Sequence, residues 1–361
     1  MKAPFIWFGG KRKVAPLIWD ALGDVDNYVE PFAGSLAVLL ERPDWHRRKC
    51  ETVNDADRYL ANLWRALAKA PEAVAEWADW PVNEADLLAR HLWLVQKGGK
   101  GLGRLEADPD FFDAKAAGWW VWGINQWIGS GWCSGNGPWS VNEAGELEDA
   151  RKLPHLGDAG QGVNRQRPHL GDAGQGVNRQ LPHLGNAGRG VNRNRPHLGN
   201  AGRGVGVLPR NEGLFAYFAE LASRLRSVRV CCGDWSRVVT DGALSYGETF
   251  GVFLDPPYLG SVRTKDLYAH DDHHVADDVR EWAVAHGDDP RFRIVLAGYE
   301  PEHEHKIPAS WRRYAYSASS AYQSAKGARG EGDGVNEANR KLERLWFSPH
   351  CLGSGQRGLF S

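Results

Sequence analysis

Short apolar runs alternate with longer segments of helical periodicity along this chain. The runs are typical of buried strands and lie at residues 28–32, 51–53, 250–254, 293–297 and 345–348. The periodic segments predict helices at residues 36–40, 58–64, 119–128 and 272–286. In the last of these, one face carries Val275, Val279, Trp282 and Ala283. Strands that alternate with helices predict an α/β fold with a doubly wound sheet.

Two predicted strands end in residues suited to binding a small molecule. Gly34 lies in the turn at 33–35, whose small residues let a ligand approach the backbone where open α/β sheets bind nucleotides. Taken alone, such a turn fits any α/β protein. Asp55 follows the strand at 51–53, where a carboxylate can hold ribose hydroxyls. Asp55 could also cap the next helix, a task that Asn54 and Asp57 could share.

The tetrapeptide Asp255-Pro256-Pro257-Tyr258 follows the apolar run at 250–254 and carries the clearest chemistry. Asp255 and the Pro256 carbonyl can accept hydrogen bonds from an NH2 group, because prolines fix φ and remove backbone donors. Tyr258 offers a flat face on which a base can stack. The alternative is an ordinary strand with a Pro-Pro turn and a packed tyrosine. The pattern favours a site for the exocyclic amino group of a base.

Four further motifs precede this tetrapeptide in a fixed order. They are residues 4–11 (PFIWFGGK), 28–35 (YVEPFAGS), 53–55 (VND) and 232–235 (CGDW). The set resembles the Dam-like (D12 class) adenine-specific DNA methyltransferases, which use S-adenosylmethionine. The resemblance covers residues 4–70 and 228–300, with a weaker tail towards residue 350. It implies a Rossmann-like methyltransferase sheet and transfer of a methyl group to adenine N6 in DNA.

The resemblance also implies roles for individual residues. Those expected at the methyl donor are Trp7, Lys11, Glu30, Pro31, Phe32, Gly34, Asp55, Asp234 and Asp255. Those expected to be catalytic are Asp255, Pro256, Pro257 and Tyr258. From the residues alone, Lys11 could equally contact a DNA phosphate. A phosphate-loop function is excluded, because Gly9-Gly10-Lys11 lacks the rest of that motif.

The chemistry of an amino group on a base limits what the enzyme must do. Its lone pair is delocalised into the ring, so the protein mainly aligns the reactants and polarises the NH2 group. No nucleophilic triad or metal is needed, and the target base must leave the duplex. Alternatives are a cytosine-N4 methyltransferase, whose NH2 group fits the same acceptors, and a catalytically idle DNA-binding module. Methylation of RNA or of a protein glutamine is a further option, although enzymes that methylate glutamine favour Asn in place of Asp255.

Composition limits the size, location and metal content that we expect of the protein. A chain of 361 residues can bury a full α/β core and one additional subdomain. It has neither an apolar stretch long enough to span a membrane nor a signal peptide, so we expect a cytoplasmic protein of a bacterial cell or an infected host. The five cysteines show no CxxC spacing, which argues for reduced thiols and against a zinc site.

A fourteen-residue unit repeats four times, beginning at Leu153, Arg167, Leu181 and Arg195. Residues 151–210 hold ten Lys and Arg against two Asp, a net charge of +8 in a chain whose total is −1. Each copy has few apolar residues to bury, so we expect a flexible basic insertion at 151–208 that also meets DNA. Histidines recur once per repeat, but no cysteine or carboxylate cluster accompanies them to indicate a metal array.

Three regions are therefore expected. Residues 1–64 and 226–361 form the catalytic domain that binds S-adenosylmethionine, residues 65–150 and 209–225 form a helical target-recognition subdomain, and 151–208 form the insertion. Ten of the seventeen tryptophans lie between residues 64 and 139, where we expect mostly core packing. The loop at 129–139 is a candidate for DNA contact, and the alternative is a structural turn. The expected partner is double-stranded DNA. No feature indicates a cognate restriction endonuclease, and we expect a monomer or weak dimer.

Overall fold

The computed structural model describes residues 1–5, 7, 10–46, 49–127, 132–133, 139–141, 147–149, 211–257, 274–316 and 343–353. Several predictions fall outside these ranges. The repeat insertion at 151–208, Tyr258, most of the loop at 129–139 and the segment at 317–341 are among them.

The described strands form one large sheet and one small ladder. Their bounds are β1 (Asn27–Glu30), β2 (Cys50–Asp55), β3 (Trp139–Val141), β4 (Leu147–Asp149), β5 (Val228–Cys232), β6 (Phe250–Leu254), β7 (Phe292–Tyr299), β8 (Arg312–Ala315) and β9 (Glu343–Phe347). The seven-stranded sheet has the order β5-β2-β1-β6-β7-β9-β8, and β3 pairs with β4. The first five strands in that order are parallel, whereas β9 runs antiparallel to β7 and to β8.

Helices connect and cover the strands. The α-helices are α1 (Ala15–Leu22), α2 (Arg58–Lys69), α3 (Pro71–Ala78), α4 (Glu84–Trp93), α5 (Gly99–Gly101), α6 (Ala114–Ile124), α7 (Glu212–Leu225), α8 (Val275–His286) and α9 (Glu300–His303). A π-helical turn spans Leu94–Gly98, and 3-10 turns span Lys11–Lys13, Leu39–Glu41, Leu102–Glu106 and Trp235–Val238. Within the described ranges, no helix combines the length and apolar character needed to cross a bilayer.

Alternating side chains of the strands bury both faces of the large sheet. Tyr28, Phe253 and Val295 lie in the core with α1, α2 and α7. The neighbouring residues Val29 and Val252 lie in a second core, on the other face, with α8. Strands buried on both faces are typical of parallel α/β sheets. The predicted Rossmann-like, doubly wound sheet is confirmed.

The predicted helix at 36–40 is wrong. The backbone φ is +46° at Gly34 and +56° at Leu36, and a right-handed helix cannot continue through such angles. The segment forms only the 3-10 turn Leu39–Glu41. The aromatic helix predicted at 119–128 begins earlier, at Ala114, because the Asp113 carboxylate accepts a hydrogen bond from the Ala116 N–H and caps it.

The helical region shares its core with the sheet. Trp64, Trp120 and Trp122 are fully buried there, as expected for core tryptophans, whereas Trp77 and Trp80 are exposed. Helix α2 runs unbroken across the boundary expected at residue 64 and packs against α6 and α7. The division into a catalytic domain and a recognition subdomain therefore stays a prediction.

Candidate functional site

The order of the sheet reverses between β1 and β6. From β1 the chain proceeds to β2 and β5 on one side, whereas β6 leads to β7 on the other side. Glu30 is paired with Val53, and Val29 with Val252, so Asp55 and Asp255 both lie just beyond the end of β1. Open α/β sheets bind ligands in the crevice at such a switch point. The two aspartates flank that crevice.

The loop after β1 is held against β2 and α2 by two hydrogen bonds at Gly34. Its N–H donates to the Asp55 carboxylate (Gly34 N to Asp55 Oδ2, 2.8 Å), and its carbonyl accepts from the Trp64 indole (3.0 Å). A Cβ at Gly34 would lie 2.8 Å from Cδ1 of Trp7. The missing side chain therefore lets the Trp7 indole lie directly on this loop, and the predicted contact of Trp7 with the donor stays a prediction.

Asp55 is half-buried at the end of β2. Its carboxylate also accepts from the Asp57 N–H (2.9 Å), while Asp57 caps α2 through the Tyr59 N–H. The cap of α2 is thus Asp57 rather than Asp55. Two hydrogen bonds leave an ionised carboxylate with capacity for about two more. Burial and the charge of Asp57 raise the pKa of Asp55 to about 7, although hydrogen bonds from Asp57 and Gly34 oppose this.

Glu30 ends β1 and is only 2% exposed. Its Oε2 accepts from the Tyr28 hydroxyl (2.9 Å) and from the Leu39 N–H (3.3 Å). Burial raises the pKa of Glu30 to about 8, while these two hydrogen bonds lower it. In this position Glu30 can stabilise the loop after β1 through its hydrogen bond with the Leu39 N–H. Its predicted contact with the donor stays a prediction.

Lys11 and Asp255 form an ion pair that joins the N-terminal segment to β6. Lys11 Nζ lies 2.9 Å from Asp255 Oδ2, with side-chain exposures of 3% and 22%. Burial lowers the pKa of Lys11, but the charges of Asp255, Tyr316 and Glu343 more than offset this, so its pKa lies above the usual range. The sequence predicted Lys11 at the donor or at a phosphate. In the structure Lys11 lies against Asp255, which is itself predicted at the donor and in catalysis, so the role of Lys11 stays a prediction.

The loop after β5 forms the far side of the crevice. Asp234 is exposed and caps the 3-10 turn Trp235–Val238 through the Ser236 N–H (2.9 Å). The rings of Phe32 and Trp235 stack with centroids 6.2 Å apart. Pro256 is buried and Pro257 half-buried after β6, and Tyr258 lies outside the described residues.

Asn54 is a residue of this site whose role the sequence did not reveal. It is 1% exposed, and its amide donates to the carbonyls of Pro31 (3.1 Å) and Gly233 (2.9 Å). One side chain of β2 thereby joins the loops that follow β1 and β5. In the sequence, Asn54 is a polar residue between the apolar Val53 and Asp55, a pattern that indicated only a helix cap.

The strand order, its switch point and the carboxylates at strand ends define a Rossmann-like methyltransferase fold. Residues 7–83 match the family model of the D12 class N6 adenine-specific DNA methyltransferases. This match confirms the resemblance over that segment and supports an enzyme of this type. No curated protein matches the chain. The matched segment includes Lys11, Gly34 and Asp55, whereas Asp234 and Asp255 lie beyond it.

Proposed function

We propose that the protein transfers a methyl group from S-adenosylmethionine to N6 of an adenine displaced from double-stranded DNA. The observation that carries this proposal is the position of Asp255 at the switch point, held there by the buried Lys11. The family match over residues 7–83 supports adenine in DNA as the substrate. A DNA substrate also agrees with the expected cytoplasmic location.

The proposed role of Asp255 follows from the chemistry of an amino nitrogen. That nitrogen gains one bond to carbon and must lose one proton, so an acceptor on its N–H stabilises the developing positive charge. The ion pair with Lys11 fixes the orientation of the Asp255 carboxylate. The carbonyl of Pro256 would accept from the second N–H. Both acceptors stand at the end of one rigid strand, which favours exact alignment.

The residues of the crevice fit S-adenosylmethionine. Asp55 would accept from the ribose hydroxyls, and Trp7 lies on the neighbouring Gly34 loop. The Phe32 and Trp235 rings offer an apolar wall for the adenine of the donor. When bound, the donor supplies a methyl group already activated on a sulfonium sulfur.

Displacement of the target base from the duplex costs a few kcal/mol. Stacking on an aromatic ring returns about 1–3 kcal/mol for each base. Tyr258 is proposed for this role because it follows directly after Pro257 in the sequence. Cytosine N4 would fit the same acceptors, but the family match favours adenine.

The direct test is incubation of mixed-sequence duplex DNA with labelled S-adenosylmethionine, followed by mass spectrometry of the digested nucleosides. We expect N6-methyldeoxyadenosine. N4-methyldeoxycytidine would change the base but keep the mechanism. If no nucleoside is methylated and the donor does not bind, the proposal fails and the binding-module alternative is favoured.

Asp55→Asn is expected to weaken donor binding about tenfold or more, because an amide cannot replace hydrogen bonds to an ionised carboxylate. With the pKa of Asp55 near 7, protons compete with the donor below that pH. The affinity of the normal protein should therefore rise as pH increases from 5 to about 7 and then level off. Calorimetric titration across this range measures both effects.

A matched control is Asp57→Asn. It removes the negative charge of Asp57, which contributes to the raised pKa of Asp55, and leaves Asp55 in place. It should move the midpoint of the pH profile downwards. Donor affinity that is unchanged in Asp55→Asn at pH 8 would contradict the proposed contact.

A further inference from the structure

The ends of β6 and β7 meet the start of β9 beside the candidate site. The register pairs Leu254 of β6 with Leu296 of β7, and Tyr299 of β7 with Glu343 of β9. Because β9 runs antiparallel to β7, its first residue, Glu343, lies at the edge of the sheet where Asp255 follows β6. One strand separates the backbones of Asp255 and Glu343, which corresponds to about 10 Å at the usual spacing of neighbouring strands.

Asp255 and Glu343 belong to the same face of the sheet. Successive side chains of a strand point to opposite faces. Phe253 and Leu345 both lie in the core that contains α1 and α2. Asp255 comes two positions after Phe253, and Glu343 two positions before Leu345, so the alternation places both carboxylates on that face. Lys11 approaches the same face, because the 3-10 turn that begins with Lys11 leads directly into α1.

Glu343 is a buried carboxylate that acts on the ammonium of Lys11. Only 4% of its surface is exposed, and its backbone carbonyl accepts from the Tyr316 N–H (3.3 Å) at the end of β8. Burial lowers the pKa of Lys11, whereas nearby charges, including those of Asp255 and Glu343, raise it. A buried carboxylate is tolerated where a countercharge offsets its lost hydration. The ammonium that holds Asp255 therefore also compensates Glu343.

One ammonium thus lies between two carboxylates, and the three groups together carry a charge of −1. With Asp255 as its sole counterion, Lys11 would neutralise the charge that an amino nitrogen needs from its acceptor. The carboxylate of Glu343 offsets the ammonium instead. Asp255 then keeps both a fixed orientation and the negative potential that stabilises positive charge on the nitrogen as the methyl group arrives.

We propose that Glu343 is a positioning residue for methyl transfer. It acts through Lys11, whose ammonium it compensates, so that Lys11 orients Asp255 without neutralising it. This role rests on the proposed function, because it belongs to the same site. The sequence did not reveal it: the strand predicted at 345–348 excludes Glu343, whereas β9 begins there.

The test is single-turnover methylation of duplex DNA by Glu343→Gln, combined with calorimetric titration of S-adenosylmethionine. We expect the rate at saturating donor to fall about tenfold, within the range found for coupled neighbours. Donor affinity should stay normal, because Asp55 is unchanged. Glu343→Asp keeps the charge and should recover most of the rate. A normal rate in folded Glu343→Gln, or an equal loss in Glu343→Asp, would overturn the proposal.

The matched control is Glu302→Gln. Glu302 is also a buried carboxylate, 8% exposed, and lies on α9 directly after β7. It belongs to the other face, since the ring of the adjacent His303 packs against Trp346 of the second core, with centroids 5.2 Å apart. Folded Glu302→Gln should methylate at the normal rate. Equal losses in the two variants would mean that any buried carboxylate at this edge has the same effect, which refutes a specific action through Lys11.

A double-mutant cycle with Asp255→Asn separates positioning from general support of the structure. If Glu343 acts through Asp255, then Glu343→Gln should cost less than about twofold in rate once Asp255 is already Asn. A purely structural role would cost the same factor in both backgrounds. That additive result would overturn the proposal.

A second cycle, between Glu343→Gln and Lys11→Met, tests the contact without any activity. Each single change leaves a buried charge uncompensated, so urea denaturation should show that the double variant loses less stability than the sum of the single variants. If Glu343→Gln alone does not fold, the double variant should regain the fold, and its failure to do so would overturn the proposal.

The two cycles distinguish this proposal from the proposed function. If the normal protein binds the donor but methylates no nucleoside, the proposed function fails, and the stability coupling then assigns Glu343 to the fold alone. If the normal protein methylates DNA and Glu343→Gln does so equally fast, the role of Glu343 alone is refuted.

Discussion

We expect Asp255→Asn to lower the proposed methyl transfer by about 10²–10³-fold, the loss typical of a preorganised group at the reacting atom that no longer stabilises developing charge. The amide keeps the shape of the carboxylate, and its oxygen can still accept from Lys11. Because the charge of Glu343 also stabilises the Lys11 ammonium, we expect the variant to fold, with a smaller loss of stability than in Asp255→Ala. Single-turnover methylation of duplex DNA at saturating donor measures the effect on chemistry.

The matched control for this prediction is Asp289→Asn. Asp289 also accepts from a cation, Arg291, with 2.7 Å between Oδ2 and Nη2, but it lies on the surface after α8. Loss of the Asp289 charge should leave the methylation rate unchanged. Turnover by Asp255→Asn at near-normal rate, with the control also normal, would remove Asp255 from the mechanism.

The ion pair explains why alanine is the poorer substitution at Asp255. Lys11 is almost completely buried, and Asp255→Ala would leave its ammonium without this carboxylate. Removal of one member of a buried ion pair costs about 3–5 kcal/mol. The sequence alone suggests that Asp255→Ala would leave folding intact. Because Asp255→Ala also breaks this ion pair, a loss of activity in that variant could result from unfolding as well as from the missing catalytic carboxylate.

Local patterns predicted the part of the fold that depends on neighbouring residues. The strands at Tyr28 and Val252 were predictable because their apolar runs are short and buried on both sides. The helix predicted at 36–40 failed, although its residues are apolar, because Gly34 and Leu36 adopt positive φ angles. Those angles turn the chain so that Leu39 donates its N–H to Glu30, a contact that periodicity cannot reveal.

The candidate site was predictable as a set of motifs but not as a set of contacts. Motif order identified Lys11, Asp55 and Asp255 separately, because each carries chemistry suited to a nucleotide or a base. The pairing of Lys11 with Asp255 joins distant parts of the chain, and only the sheet topology brings them together. The bridging role of Asn54 likewise depends on two loops whose positions relative to β2 the sequence does not contain.

A buried charge cluster beside the site was also invisible in the sequence. Glu51 of β2 pairs with Arg42 (3.0 Å) and with Arg224 of α7 (2.6 Å). All three side chains are at most 3% exposed. The arginines also donate to the carbonyls of Val25 (2.7 Å) and Leu39 (3.0 Å). The cluster thereby ties α7, which follows the repeat insertion in the chain, to the strand that ends at the candidate site.

Glu51→Gln should therefore be the most destabilising conservative substitution in this region. It keeps the volume of the side chain but leaves two buried guanidinium groups without a compensating charge, at a cost of about 3–5 kcal/mol in the free energy of unfolding. Urea denaturation followed by circular dichroism measures this loss. The matched control is Glu106→Gln, because the Glu106–Arg58 pair is exposed and should contribute at most about 1 kcal/mol. Equal losses in the two variants would mean that the buried arginines are stabilised by their carbonyl and aromatic contacts rather than by Glu51. Donor affinity of the folded fraction should remain normal in Glu51→Gln, since Glu51 lies in the core and Asp55 at the crevice.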